Sequence, residues 1–218
     1  MLKPLISLAI VGLILLLAEN LVKNKKIHGE IARKFVHITA GSFMATWAFF
    51  MSTTQIQILS LILVAGVFTS KYLSFFKSVH SISRKTWGEV FFALSIGIAA
   101  TIAPNEWVYA VAILHMSMAD GYAAVAGNAY GKSTGYFIIG QYKTLVGSAT
   151  FYVISVILTT CMVFLVPSGI SHDAGLIVFW LPLLATITEN LSLLGIDNLA
   201  VPMVVIGAVY FVNQIYII

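Results

Sequence analysis

Trp107-Val-Tyr-Ala-Val-Ala-Ile-Leu-His-Met-Ser-Met-Ala-Asp120-Gly-Tyr-Ala-Ala-Val-Ala-Gly-Asn128 runs for 22 residues with a single charged side chain, Asp120. About 20 mostly apolar residues are enough for a helix to cross a bilayer, so the stretch reads as a transmembrane helix with a carboxylate inside it. A charge near the centre of such a helix costs about 2.5 to 3.5 kcal/mol on insertion scales. Asp120 therefore requires a compensating partner: a cation, a metal ion or water.

The rest of the chain repeats the pattern. Of its 218 residues 60% are hydrophobic and 9% charged, with a mean hydropathy of +0.98, against about 25% charged for an ordinary soluble domain. The fold class expected is all-α, a polytopic membrane helix bundle. Further apolar segments run Leu5–Val22, Phe35–Met51, Ile56–Leu73, Val90–Ala103, Ser148–Val166, Leu176–Leu194 and Leu199–Ile217. With Trp107–Asn128 they make eight crossings, or seven if the short fourth segment only dips into the membrane. No linker, low-complexity tract or hydrophilic insert divides residues 1–218, which reads as one catalytic domain. No internal repeat marks the inverted halves of a transporter.

Cytoplasmic loops are enriched in Lys and Arg. Lys23, Lys25, Lys26, Arg33 and Lys34 follow the first apolar segment, Lys71, Lys77, Arg84 and Lys85 the third, and Lys132 and Lys143 the fifth. The alternate connections, Ser52–Gln55, Pro104–Glu106 and Pro167–Gly175, hold no Lys or Arg, and only Lys3 breaks the pattern. Both termini are thus expected outside and the charged connections inside, in the cell membrane. Lys3 is a weak positive start and no small-residue cleavage site precedes Glu19, so the first segment reads as a retained signal-anchor. The net charge of +4 is topogenic and substrate-facing; without a soluble domain carrying a basic stripe, nucleic-acid binding is not expected. Cys161 is the only cysteine, which excludes disulfides within the chain and thiolate metal sites.

The charges gather into four islands: Glu30 to His37, Arg84 to Glu89, Asp120 to Lys143 and Glu189 to Asn198. With eight crossings all four reach one membrane face, where they form a site for something anionic. In the first island Glu30, Arg33, Lys34, His37 and Gly41 fall within an arc of roughly 100° on a helix. One stripe thus carries an acid, two cations and an imidazole about one turn inside the membrane, where polar side chains face the protein interior or a wet cavity. Near Asp120, Gly121, Ala124 and Gly127 allow close helix approach. Gly131-Lys132-Ser133 resembles the end of a P-loop, but that motif needs Gly where this chain has Ala126, and a buried strand before it. Lys132 can still bind phosphate as a point charge, with Gly131 and Gly135 letting the loop fold around an anion. Lys143 and Thr144 bring another cation and hydroxyl to the start of the sixth helix, itself an anion site. Glu189 is a second intramembrane acid, and Asp197-Asn198 lies in a short turn. Asp120, Glu189 and Asp197 offer the hard oxygens that Mg²⁺ takes.

In chain order these residues read E-x-x-R-K-x-x-H-x-x-x-G from Glu30, A-D-G-x-A-A-x-x-G-x-x-x-G-K from Ala119, K-T-x-x-G-S from Lys143 and E-x-x-x-x-x-G-x-D-N-x-x-V-P from Glu189. The series resembles the polytopic lipid-kinase family that includes dolichol kinase, phytol kinase and CTP-dependent diacylglycerol kinase. Arg84-Lys85-Thr86-Trp87-Gly88-Glu89 resembles a further cytoplasmic block of that family. The resemblance implies transfer of the γ-phosphoryl group of CTP to the hydroxyl of a membrane lipid alcohol. In such a reaction Arg33, Lys34, Lys132, Lys143 and Thr144 would hold the nucleotide phosphates, Asp120, Asp197 and Asn198 the Mg²⁺, and His37 or Glu189 would accept the proton. A phosphatidate cytidylyltransferase is the nearest alternative; that class shows an Asp-rich C-terminal signature and a Lys-Asp pair, whereas here Lys143 precedes Thr144 and Asp197 precedes Asn198. A small ion transporter would need Asp120 and Glu189 on a path reaching both faces, yet the cations cluster on one.

Overall fold

The computed structural model describes residues 2–73, 87–165 and 176–216. Lys77, Arg84, Lys85 and Thr86 of the second charged stretch and the Pro167–Gly175 connection lie outside the described residues. Within them the chain forms α1 (Leu2–Lys23), α2 (Gly29–Ala45), α3 (Thr53–Leu73), α4 (Gly88–Ile102), α5 (Glu106–Tyr130), α6 (Leu145–Leu165), α7 (Ile177–Leu191) and α8 (Asp197–Tyr216).

Four of these, Leu2–Lys23, Thr53–Ser70, Glu106–Tyr130 and Leu145–Phe164, are long and apolar enough to cross a membrane, and Gly88–Ile102, Ile177–Leu191 and Asp197–Val212 are shorter apolar helices. At 1.5 Å per residue α4 rises only about 22 Å, less than the hydrocarbon thickness of about 30 Å.

The central element is α5. Of its most apolar 18-residue window 72% is buried, against 17% for α1, so most of the α1 surface is left uncovered while α5 is enclosed by α2, α4, α6 and α8. Asn105 starts α5 by accepting the N–H groups of Trp107 (3.0 Å) and Val108 (2.9 Å) on its Oδ1, satisfying two of the donors that every helix leaves open at its start. Packing between membrane helices rests on close approach rather than on hydrophobic drive. Gly41 leaves room for Ser117 and Phe92, Gly97 for Ser60, Gly121 for Ile38, and Gly127 lies against Gly147 and Thr144. Trp47, Met44, Tyr109, Ile113 and Met116 fill the core between α2 and α5, where Tyr109 Oη donates to the Met44 carbonyl at 3.1 Å.

Between α5 and α6, the segment expected to fold around an anion at Gly131 and Gly135 is not a simple loop. A 3₁₀ turn at Lys132–Thr134 leads into an antiparallel hairpin, β1 (Gly135–Ile138) and β2 (Gln141–Thr144), in the register Tyr136↔Lys143 and Phe137↔Tyr142. A side chain on Gly131 would meet the Gly127 carbonyl and Thr144, and one on Gly135 would meet the Tyr142 ring; both glycines serve packing.

Candidate active site

Lys34, His37, Asp120, Lys143, Glu189 and Asp197 meet where the start of α2, the second half of α5, β2, the end of α7 and the start of α8 come together. Helix α2 turns Lys34, His37 and Gly41 inward, all buried. Lys34 Nζ lies 2.5 Å from Asp120 Oδ2, and His37 Nε2 lies 3.1 Å from the same oxygen. Arg33 and Glu30, on the same arc, pair with each other instead, Nη2 to Oε1 at 2.5 Å, at the rim. Burial alone would raise the Glu30 carboxyl, but Arg33 outweighs it and holds the group below its ordinary value.

His37 is fixed by an irregularity in α5. Residues His115–Ala119 form a π-turn, in which the Asp120 N–H bonds the His115 and Ser117 carbonyls. In a regular α-helix that N–H would go to Met116. The Met116 carbonyl lies 2.8 Å from His37 Nε2. A carbonyl only accepts, so Nε2 carries the proton and, in the neutral ring, Nδ1 carries the lone pair. Single π-turns are frequent at functional sites, and this one ends at Asp120.

Glu189, in the last turn of α7, is salt-bridged to Lys143 of β2, whose Nζ also donates to the Glu189 carbonyl oxygen at 3.2 Å. Burial works against the charge on Lys143, but the Glu189 carboxylate outweighs it and holds the ammonium above its ordinary value. The hairpin is latched to α7 by two more contacts. Tyr136 Oη donates to Asn190 Oδ1 at 2.5 Å, and Gln141 Nε2 donates to the Ser192 carbonyl at 2.7 Å. Ser148 Oγ joins the first of these, donating to Asn190 Oδ1 at 3.0 Å.

One carboxylate oxygen from each of Asp120, Glu189 and Asp197 lies within 4.8 Å of the others. Three acids brought this close repel one another unless cations intervene; Lys34 and Lys143 supply two, and Asp197 accepts the Asn198 N–H at 3.0 Å. Beside it Asn198 Oδ1 is buried and has no hydrogen-bond partner among the described residues, an arrangement that is costly unless a ligand completes it. Pro202, four residues on, has no N–H to give the Asn198 carbonyl. Carboxylates plus unsatisfied neutral oxygens are a donor set that fits Mg²⁺. Thr144 Oγ1 accepts the Gly147 N–H at 3.0 Å, capping α6, and Lys132 stands exposed in the 3₁₀ turn.

Sequence reasoning missed Tyr136, Gln141, Ser148 and Asn190 as supports, and the Met116 carbonyl as the group that orients His37. Ser148 and Asn190 stood inside the quoted motifs, so polar residues next to an intramembrane acid were the available signal; the π-turn left none, since His115-Met-Ser-Met-Ala119 contains neither Gly nor Pro.

No family model matches the chain, and no solved structure matches it. Among curated proteins it is 30% identical over 202 residues to a phytol kinase of Synechocystis sp., an alignment covering 88% of this chain and 83% of that protein. Identity at this level over nearly the whole of both chains, with the motif residues gathered at one end of a helical bundle, shows that the chain belongs to the polytopic lipid-kinase family that includes phytol kinase.

Proposed function

We propose that this protein is a CTP-dependent kinase of isoprenoid lipid alcohols. It crosses the cell membrane eight times as one domain and phosphorylates its acceptor at the cytoplasmic face. The observation that carries the reading is the convergence of Asp120, Glu189 and Asp197 within 4.8 Å, between the buried Lys34 and the half-buried Lys143, in a chain of this family. The acceptor class is drawn from the phytol kinase relative, and the donor from the motif resemblance. The charged connections supply the orientation, since with eight crossings they fall on one face, and Lys and Arg concentrate on the cytoplasmic side.

Phosphoryl transfer depends on positioning and on neutralising the phosphate oxygens. In this reading Asp120, Asp197 and Asn198, with Glu189 close by, hold Mg²⁺. When bound, the ion offsets the charge that develops on the phosphates. Arg33 and Lys132 at the rim meet the nucleotide phosphates, while Lys34 and Lys143 keep the acids in place, and Thr144 holds the turn beneath. Of the two proton acceptors open from sequence, Glu189 is engaged by Lys143, whereas His37 has its Nε2–H held by Met116 and keeps a lone pair on Nδ1. The acceptor oxygen bonds to the γ-phosphorus as its proton passes to His37 Nδ1. The bond from that phosphorus to the bridging oxygen breaks, and CDP leaves.

The test uses purified protein, Mg²⁺, mixed lipid alcohols and CTP labelled separately at the α- and γ-phosphates. Label passing from γ to a lipid is the expected result, and the mass of the product identifies the acceptor. Label passing from α, with phosphatidate present and pyrophosphate released, establishes the cytidylyltransferase reading instead.

A further inference from the structure

The β1–β2 hairpin carries a second surface that the site does not use. Its strands alternate, as a two-faced sheet does. Tyr136, Gln141 and Lys143 point toward α7 and make the contacts described above. The opposite face bears Phe137 and Tyr142, 77% and 47% exposed, paired across the strands with ring centroids 5.5 Å apart. Ile139 at the tip is 56% exposed, and Tyr130 and Leu145, at the adjoining ends of α5 and α6, are 79% and 63% exposed. Tyr142 Oη donates to the carbonyl of the exposed Lys132 at 3.3 Å, so a cation borders this face, as at the membrane–water boundary.

The turn itself is anomalous. Ile139 and Gly140 both have positive φ, +48° and +75°, as the tight two-residue hairpin turn requires. Asn, Asp or Gly ordinarily takes the first of these positions. A β-branched residue there is an outlier, and such strain persists where something else rewards it. The hairpin connects α5 to α6, two helices long and apolar enough to cross a membrane, and its four-residue strands reach only about 13 Å from their ends. The tip is therefore confined to the membrane–water boundary, where aromatic rings concentrate.

We propose that the outer face of the hairpin, Phe137, Ile139 and Tyr142 with Tyr130 and Leu145, is seated in the interfacial layer of the bilayer that holds the protein. An apolar tip in that layer explains why isoleucine occupies a position that favours asparagine. Because the inner face of the same strands brings Lys143 to Glu189 and Gln141 to Ser192, the bilayer surface then holds that side of the site in place. The inference rests on the membrane topology and not on the identity of the phosphoryl donor or acceptor.

Cys161 is the only cysteine and lies exposed on α6, so a Cys161→Ala background accepts a single spin label at Ile139→Cys. After reconstitution into phosphatidylcholine–phosphatidylglycerol vesicles, power saturation compares collisions of the label with oxygen, which partitions into lipid, and with a water-soluble nickel chelate. Collisions with oxygen exceeding those with nickel by severalfold are expected. A label dominated by nickel collisions overturns the proposal. If Ile139→Cys does not yield folded protein, Phe137→Cys carries the same measurement with the same two outcomes. Neither nucleotide nor turnover enters the readout, so its failure is distinct from failure of the kinase reading.

Discussion

Lys34 Nζ lies 2.5 Å from Asp120 Oδ2, an ion pair between residues 86 apart in sequence whose side chains are only 4% and 9% exposed. It ties α2 to α5 and offsets the insertion cost of Asp120. Removing one member of a buried pair strands the other charge, at a cost of about 3–5 kcal/mol, whereas replacing both is often near neutral. Lys34→Met should therefore lower the melting temperature in detergent more than Lys34→Met combined with Asp120→Asn does. A single variant as stable as the parent would show that the pair does not hold α2 to α5.

Among the described residues Asp197 is the acid of the cluster without a lysine salt bridge, so its substitution should affect function more than folding. Asp197→Asn keeps the shape and removes the charge. Turnover should fall about 10²–10³-fold, the range for losing one preorganised electrostatic contact. The melting temperature should stay close to the parent's, and the Mg²⁺ concentration for half-maximal rate should rise. Kinetics titrated with Mg²⁺, beside a melting curve, check both. An unchanged Mg²⁺ requirement with full turnover removes Asp197 from the metal site.

His37 combines two contacts that separate orientation from chemistry. His37→Gln retains a donor for the Met116 carbonyl and loses the imidazole lone pair. If Nδ1 accepts the proton, kcat should fall about 10²–10⁴-fold while KM for the lipid alcohol changes little. A parental kcat would exclude His37 as the base.

The parts of this site that were legible in sequence are those where physics penalises the residue. Asp120 and Glu189 stand out because a carboxylate in a membrane helix is costly, and Lys34, His37 and Gly41 share a face because 100° per residue puts them there. Which cation serves which acid was not legible, since Lys34 and Lys143 reach their partners across 86 and 46 residues. Arg33 shows the limit of periodicity. It lies on the same arc as Lys34 yet turns to Glu30, three residues away. The hairpin escaped notice because its strands are four residues long and Ile139-Gly140 lacks the Asn-Gly or Asp-Gly signal. The stretch 129–147 between two apolar segments, with its Gly, Lys, Ser and Thr residues, reads as a loop. The eight apolar segments do correspond to helices in order, but among the described residues four are long and apolar enough to cross a membrane.

Gly195 shapes the turn that delivers Asp197 and Asn198. Its φ is +88°, and a Cβ there would run into the backbone of Gly88 at the start of α4. The Trp87 N–H donates to the Leu194 carbonyl at 3.0 Å, so the α7–α8 turn and the start of α4 are locked together. Gly195→Ala combines a left-handed φ on a residue with a Cβ, about 1–3 kcal/mol, with a steric clash against backbone. It should reduce both the melting temperature and turnover. Parental values of both would mean that the turn yields without moving Asp197.

Lys143 gives a pH dependence whose direction follows from its contacts. Its folded-state pKa is raised, because the Glu189 carboxylate outweighs the effect of burial. A cation with a raised pKa contributes stability that is fully present below the unfolded value, about 10.4 for lysine, and is lost as pH rises through the higher folded value. The difference in melting temperature between the parent and Lys143→Gln should accordingly stay constant from pH 7 to about 9 and shrink only above about 10.4. Lys143→Gln also leaves Glu189 buried with no cation to meet it, so below that range the variant should be the less stable of the two. Melting curves in one detergent across pH 7 to 11 read both features; a gap that closes near neutral pH would mean that another group, not Lys143, provides the charge that holds the hairpin to α7.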